Sequence, residues 1–153
     1  MQNFYMSEAY KEAELAAKED EVPIGAVVVD SISGEIIAQA HNLSEHSGNA
    51  LDHAEILAMR QACQKLGVNR LRDMDLYVTL EPCTMCAAAI SFMRIAHLYI
   101  GAPDAKGGAV INGVRFYDSP TCHHKPMITS GIMDEECGKI LKNFFAENRK
   151  HKD

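Results

Sequence analysis

The sequence predicts an α/β fold in which helices cover a central β-sheet. Buried apolar strands and helices alternate along the chain after residue 50, an order typical of parallel strands joined by helical crossovers. A helix and an antiparallel hairpin come before them, so we expect the sheet to be mixed. The chain has 153 residues and shows no repeat or interdomain linker, which predicts one domain over residues 1–153.

The first 40 residues predict one helix and one hairpin. Residues 3–20 place small and apolar side chains at helical spacing, which indicates an amphipathic helix. Residues 22–29 are a short, β-branched apolar run between turn residues, typical of a strand buried on both faces. After a turn at residues 30–34, residues 35–40 can return as its antiparallel partner.

The rest of the chain predicts three more helices and three more strands. The predicted helices cover residues 53–66, residues 83–93 and the segment from residue 134 onward. The predicted strands cover residues 75–80, 96–100 and 127–129, and the main loops are 42–51 and 101–124. Gly67 should end the first of these helices, and Pro82 should lie in the first turn of the second. The apolar face of the last helix comprises Ile140, Leu141, Phe144 and Phe145.

The composition indicates a soluble globular protein, with 47% hydrophobic and 24% charged residues. The N-terminus lacks the apolar segment of a signal peptide, and no window approaches the ~18 apolar residues of a membrane span. We therefore expect a cytoplasmic protein without a membrane partner. Its five cysteines should be reduced, with Cys63 and Cys137 as buried apolar residues.

The formal net charge of −6 is unevenly distributed. Residues 1–55 carry 11 acidic and 2 basic side chains, whereas residues 56–153 carry 10 acidic and 13 basic ones. The overall acidity disfavours non-specific binding to nucleic acid. The C-terminal segment FFAENRKHKD is therefore either a local basic surface or a solvated helix end whose cations complement the helix dipole.

Two short motifs contain residues that can bind a metal ion, namely LDHAEI at residues 51–56 and PCTMC at residues 82–86. The CxxC spacing alone is used by redox dithiols, structural zinc knuckles and catalytic zinc sites. LDHAEI alone can be a capping box, in which Asp52 caps a helix and Glu55 lies three residues later. Neither motif by itself decides the chemistry.

Taken together, the two motifs predict a single site. Both stand at helix starts beside buried strands, and such helix starts meet at one edge of a sheet. His53, Cys83 and Cys86 would then supply three ligands and leave one position open, as in catalytic zinc sites. The positive helix starts favour thiolates and disfavour an imidazolium. Glu55 could hydrogen-bond the metal-bound water and transfer its proton. The Cys122-His123-His124 cluster is either a separate site or a packed loop.

His53-Ala54-Glu55 together with Pro82-Cys83-Thr84-Met85-Cys86 matches H-x-E…P-C-x-x-C, the signature of zinc nucleobase deaminases. With EVPIGAVVVD, AHN, NRLRDMDLYVTL, RIAHLYIGAPDAKGGA and EECGKILKNFF, the chain resembles the bacterial tRNA-specific adenosine deaminase family over roughly residues 4–148. The resemblance implies a three-layer α/β/α, cytidine-deaminase-like fold with a central mixed sheet of about five strands. It also implies a homodimer with one Zn²⁺ per subunit.

The resemblance further assigns roles to single residues. His53, Cys83 and Cys86 would bind zinc, and Glu55 would shuttle protons. The implied substrate-binding residues are Asn42, Ile24, Ala54, Asp104, Lys106 and Phe145. By the implied mechanism, zinc-bound hydroxide converts the wobble adenosine in the anticodon stem-loop of an arginine tRNA to inosine, with no role for DNA. Two features depart from the family pattern: Ala88 stands where a glycine is usual, and the segment 110–124 differs.

Three other functions remain compatible with the motifs. The first is a deaminase of a free base or nucleoside, which would share the fold and the zinc site. The second is a zinc-binding module without enzymatic activity. The third is a thiol–disulfide oxidoreductase that uses Cys83 and Cys86, although this function does not account for the matching His-x-Glu motif.

Overall fold

A computed structural model describes residues 1–151, with side chains described through residue 148. The strands are β1 (Gly25–Asp30), β2 (Ile36–His41), β3 (Met74–Leu80), β4 (His97–Ala102) and β5 (Met127–Ser130). The helices are α1 (Gln2–Lys18), α2 (Ser44–Ser47), α3 (Ala54–Leu66), α4 (Thr84–Phe92) and α5 (Asp134–His151), with a short 3₁₀ helix at Phe116–Asp118. The basic residues of the C-terminal segment beyond residue 148 have side chains that lie outside this description.

The five strands form one mixed sheet in the order β2-β1-β3-β4-β5. β1 pairs antiparallel with both β2 and β3, whereas β3, β4 and β5 run parallel to one another. The parallel pairs are joined by α4 and by the long segment after β4, as the alternation of elements predicts. The predicted α/β class and the mixed five-stranded sheet are confirmed.

Helices cover both faces of the sheet and bury two separate clusters of side chains. In β1 the side chains alternate, so that Ala26 and Val28 pack with α3 while Val27 and Val29 pack with α1. This placement explains why the β1 sequence is apolar without interruption. The three layers are therefore α1 and α5, the sheet, and α3 and α4.

Local differences from the prediction concern the helix starts. α3 begins at Ala54 with His53 as its N-cap and without a side-chain cap, so the capping box on Asp52 is wrong. The Asp52 carbonyl oxygen instead accepts the N–H of Leu43, which ties Asp52 to the preceding loop. α4 begins at Thr84 with Cys83 as N-cap, so Pro82 precedes the first turn rather than lying in it. Gly67 ends α3 at φ 67°, as predicted.

Two further expectations about buried side chains are only partly confirmed. On α5, Leu141 is buried, whereas Phe145 is 46% exposed, so the predicted apolar face does not pack entirely into the core. Cys137 is buried, but Cys63 is half-buried beside Met93. Within the residues that the structure describes, no helix is long and apolar enough to cross a membrane. That residues 1–153 form one domain stays a prediction.

Gly25 allows α1 to lie directly on the first residue of β1. A Cβ at this position would overlap the Ala9 carbonyl oxygen and lie 2.8 Å from the Ala13 nitrogen. Gly25→Ala should therefore lower the free energy of unfolding by about 1–3 kcal/mol, measured as a lower urea midpoint. Gly138→Ala is the matched control, because its added Cβ would meet Ala102 at 3.8 Å. The control should leave stability unchanged or raise it, and an equal loss in both variants would contradict this account.

His41 links β2 to α1 through two carboxylates. Its Nδ1 lies 2.9 Å from Glu12 and its Nε2 lies 2.9 Å from Glu19. Burial disfavours the imidazolium, but the hydrogen bonds to Glu12 and Glu19 outweigh it and raise the pKa of His41. A raised folded-state pKa stabilises the protein below the pKa of the unfolded chain, and this contribution is lost as the pH rises through the folded-state value.

The free energy of unfolding of the wild type should therefore fall as the pH rises from about 6 to about 8. We expect this fall to be larger than that of His41→Gln by roughly 0.5–1 kcal/mol. Urea titrations of both proteins at the two pH values measure this difference. His46, which also has a raised pKa, is common to both proteins and does not affect the comparison. Identical pH slopes would show that the His41 contacts do not couple protonation to folding.

Candidate active site

The candidate site lies where α3 and α4 begin. His53 is the N-cap of α3 and Cys83 is the N-cap of α4, and both have extended backbone conformations. Cys83 is reached from the end of β3 by only Glu81 and Pro82. The short connection and the two extended caps turn the His53 and Cys83 side chains towards each other. The sequence thus folds locally so that the two motifs meet.

Three potential ligand atoms converge at this point. His53 Nδ1 lies 3.7 Å from Cys83 Sγ and 3.6 Å from Cys86 Sγ, and all three ligand atoms lie within 4.8 Å of one another. Tetrahedral zinc with ordinary Zn–N and Zn–S bonds would separate the nitrogen from each sulfur by about 3.6 Å. The donor set and its spacing therefore fit a zinc ion. Among the described residues this is the one His/Cys/Asp/Glu cluster that could hold a metal.

The protonation of the three groups depends on their contacts with one another. The hydrogen bond that Cys83 accepts from Cys86, with a further one accepted from His53, lowers the pKa of Cys83 to about 4 against the effect of burial. The pKa of Cys86 is raised by its bond to Cys83 and by burial. Two thiols in contact cannot readily both ionise, but a divalent cation between them would favour both thiolates.

The expected effect of the helix start on His53 is outweighed by its neighbours. The hydrogen bond to Cys83 raises the pKa of His53, although burial and the helix start favour the neutral ring. The hydrogen bond to Cys83 thus opposes the effect that the helix start has on His53. A metal ion bound at Nδ1 would compete with the proton and restore the neutral ligand.

Glu55 lies in the first turn of α3 and is 4% exposed. Burial raises the pKa of its carboxyl group to about 7. The cluster of ligand atoms does not include Glu55, and its role as a neighbour of the metal stays a prediction. A buried carboxyl group that titrates near neutral pH can act both as a general base and as a general acid.

Three of the expected substrate-binding residues lie just before β1, just after β2 and at the start of α3. Asn42 follows β2, is 5% exposed and donates its N–H to the Ile24 carbonyl oxygen at 3.1 Å. Its Oδ1 accepts the N–H of Ser44 at 3.3 Å. Ala54 is the first residue of α3 and is fully buried. The structure therefore places Ile24 beside Asn42, and Ala54 between His53 and Glu55.

The other three lie around a cleft of about 970 Å³ between α2, α5 and the segment after β4. Lys106 and Phe145 both line this cleft, with His46 and Lys142 on its other walls. Asp104 stands behind Lys106, since its Oδ1 accepts the N–H of Lys106 at 3.1 Å and that of Gly107 at 3.0 Å. The metal cluster does not line the cleft, so the expected residues form two groups.

Two buried glutamates were missed by the sequence reasoning. Glu21 is fully buried and accepts the N–H groups of Glu45 and His46 and a bond from the His46 ring. Glu81 is 2% exposed and accepts hydrogen bonds from the segment 104–112. Burial would raise the pKa of Glu81, but these hydrogen bonds lower it. In the sequence, Glu21 and Glu81 each stand near a proline, in EVP and EPC. A glutamate in such a context indicates a turn, so the sequence gives no sign that these carboxylates are buried.

Two features that the sequence left open have plain structural descriptions. The Cys122-His123-His124 segment is a packed loop, because Cys122 Sγ and Ser91 Oγ both donate to the His124 carbonyl oxygen. His124 Nε2 in turn donates to the Ile95 carbonyl oxygen at 2.7 Å. Ala88 is half-buried on α4 and lies outside the buried core clusters.

The mixed sheet and the two helix starts, with His53 and Glu55 on one and two cysteines on the other, define the nucleobase-deaminase class. The model of the MafB19-like deaminase family matches residues 2–149. The tRNA-specific adenosine deaminase of Agrobacterium fabrum is 54% identical over 145 residues, which cover 95% of this chain and 94% of that protein. The tRNA-specific adenosine deaminase of Bacillus subtilis is 47% identical, over 97% of this chain and 91% of that protein.

Solved structures agree with these relatives. A structure from work on A-to-I editing by tRNA:A34 deaminases at the wobble position is 54% identical, with a TM-score of 0.87, over 90% of this chain and 99% of that one. A guanine deaminase from Nitrosomonas europaea has a TM-score of 0.82 at 21% identity and shares the fold. The chain belongs to the tRNA-specific adenosine deaminase family.

Proposed function

We propose that the protein is a zinc-dependent hydrolase that deaminates the wobble adenosine of a tRNA anticodon, in particular that of an arginine tRNA, to inosine. The observation that carries the proposal is the convergence of His53, Cys83 and Cys86 beside the buried Glu55. The relatives at about half identity over nearly the whole chain support the RNA substrate. This substrate also places the enzyme in the cytoplasm.

The reaction replaces the C6–N bond of adenine by a C6–O bond and releases ammonia. His53, Cys83 and Cys86 would hold one Zn²⁺, which supplies a water activated for attack at neutral pH. Glu55 can take up the two protons of the attacking water in turn, delivering the first to the adenine ring nitrogen and the second to the departing amine. Its pKa of about 7 suits both transfers, because neither the acid nor the carboxylate is strongly favoured at neutral pH.

The two groups of expected substrate residues suit an extruded nucleotide and its neighbours. Ala54 directly follows His53, and the loop after Asn42 is tied to the residue before His53 by the bond from the Leu43 N–H to the Asp52 carbonyl oxygen. Asn42, Ile24 and Ala54 would contact the flipped adenosine. Lys106 and Phe145 line the cleft, with Asp104 behind Lys106, and would contact adjacent anticodon nucleotides through charge and stacking. An unpaired loop base costs less to extrude than a base in a duplex.

The test is sequencing of the wobble position of arginine tRNA after incubation with purified protein, with and without a chelator. We expect adenosine to be read as inosine only when zinc is present. Parallel incubations with free adenosine, guanine and cytidine should release no ammonia at a comparable rate. Deamination of a free base without reaction on tRNA would instead identify a base deaminase of the same fold. Binding that does not weaken with added salt would also contradict an RNA substrate.

We also propose that two copies of the chain associate through α3 and α4. A groove of about 890 Å³ between these helices is lined mainly by apolar side chains, including Val68 and Met93, together with Arg60, Gln64 and Asn69. The neighbouring Phe92 is 64% exposed. Such an exposed apolar surface is typical of a subunit interface. Light scattering after gel filtration should give a dimer for the wild type and a smaller species for Phe92→Asp. A wild-type monomer at micromolar concentration would exclude this assembly.

A further inference from the structure

Glu81 is a buried carboxylate whose hydrogen-bond partners all come from one loop. It lies directly before Pro82 and Cys83 and is 2% exposed. Glu81 Oε1 accepts the N–H of Asp104 at 2.9 Å and the Nδ2–H of Asn112 at 2.8 Å, while Oε2 accepts the N–H groups of Val110, Ile111 and Asn112 at 3.1, 2.9 and 2.9 Å. One side chain thus binds both ends of the segment 104–112.

A buried carboxylate is costly unless it is fully hydrogen-bonded or paired with a cation. Within the described part of the chain, no lysine or arginine lies at salt-bridge distance from Glu81. The compensation comes from the five donors of the segment, of which four are backbone N–H groups. The carboxylate therefore needs the segment in this conformation, and the segment needs the carboxylate to satisfy its donors.

Two further contacts fit the segment closely around Glu81. The Ala109 N–H donates to the Pro82 carbonyl oxygen at 2.9 Å. A Cβ on Gly108 would overlap the Glu81 carboxyl group and lie 2.5 Å from the Asp104 carbonyl oxygen, so only glycine fits there without a shift. The segment is consequently attached to the same short connection, residues 81–83, that delivers Cys83 to the metal cluster.

The hydrogen bonds continue from Glu81 to the cleft. Glu81 fixes the backbone of Asp104, and the Asp104 side chain accepts the N–H groups of Lys106 and Gly107. Lys106 in turn lines the cleft, together with residues of α5. A continuous series of contacts thus joins the start of α4 to a cationic side chain at the cleft.

We propose that Glu81 is a positioning residue that sets the distance between the metal cluster and the RNA-contacting segment 104–112. The inference rests on the proposed function, because it requires Lys106 and its neighbours to contact the anticodon. Glu81 does not touch the reacting atoms. It holds the contacts to the flanking nucleotides in register with the adenosine at the metal, so that both parts of the substrate bind at once.

The test compares Glu81→Gln with wild type in three measurements: zinc content, backbone hydrogen exchange of residues 104–112, and the kinetics on a synthetic anticodon stem-loop. Glutamine keeps the shape of the side chain but replaces one acceptor oxygen with an N–H₂ group that faces backbone donors. We expect one zinc per chain, faster exchange confined to the segment, KM raised about tenfold, and kcat within about threefold of wild type.

Two further variants make this test specific. Asn112→Ala removes one of the five donors and should shift exchange and KM in the same direction by a smaller factor, even if Glu81→Gln folds poorly. Glu35→Gln removes the same charge from the exposed hairpin turn. It should change neither the hydrogen exchange of residues 104–112 nor KM. Glu81→Gln with faster exchange but unchanged KM, or with loss of zinc, would overturn the positioning role. A wild-type protein that does not deaminate the stem-loop would overturn the proposed function itself.

Discussion

Glu55→Gln is expected to retain its bound zinc and to lose about 10²–10⁴-fold in kcat for inosine formation in the anticodon stem-loop. The amide has nearly the shape of the carboxyl group but cannot take up and release a proton. Because Glu55 lies outside the cluster of ligand atoms, its substitution should leave the affinity for metal nearly unchanged. Single-turnover assays and metal analysis of the same samples measure both quantities.

The control for this prediction is Glu14→Gln, which removes an equal charge from the exposed face of α1. It should have wild-type activity and zinc content. If Glu55→Gln kept activity within about tenfold of wild type, the proton-transfer role would be wrong. If it lost zinc, Glu55 would be acting on the ligands rather than on the substrate.

Hydrophobic patterns in the sequence predict the layers of this fold, and the reason is physical. The apolar run of β1 and the periodic stripe of α1 are local consequences of which face each element buries. The convergence of His53 with Cys83 and Cys86 follows from the same information, since both motifs stand at helix starts beside the sheet. These features need no knowledge of distant loops.

What the sequence could not predict depends on contacts across long stretches of chain. The conformation of the segment 104–112 is set by a carboxylate 23–31 residues earlier, and that of α2 by Glu21, 24–25 residues earlier. No local pattern distinguishes these glutamates from solvated ones. The Asp52 carbonyl oxygen likewise accepts the N–H of Leu43, nine residues earlier, a contact that no local pattern predicts.

Cys86→Ala is expected to bind no zinc and to have no measurable deaminase activity. Cys86 is fully buried and lies 3.6 Å from His53 Nδ1, so alanine removes a ligand that no nearby described side chain replaces. A ligand that binds only the folded protein raises its stability, so a chelator should lower the Tm of wild type but not that of Cys86→Ala. Metal analysis and thermal melts with and without chelator measure the two effects.

Cys122→Ala is the matched control, because Cys122 belongs to the packed loop whose hydrogen bonds end on the His124 carbonyl oxygen. It should keep one zinc per chain and the response of Tm to chelator. The comparison also tests the oxidoreductase alternative: a redox pair at Cys83 and Cys86 would form a disulfide and bind no metal in the wild type. Thiols that react with an alkylating reagent only after chelation would instead indicate zinc ligands, since a coordinated thiolate is protected. Equal zinc content in Cys86→Ala and wild type would contradict the ligand set and, with it, the deaminase mechanism.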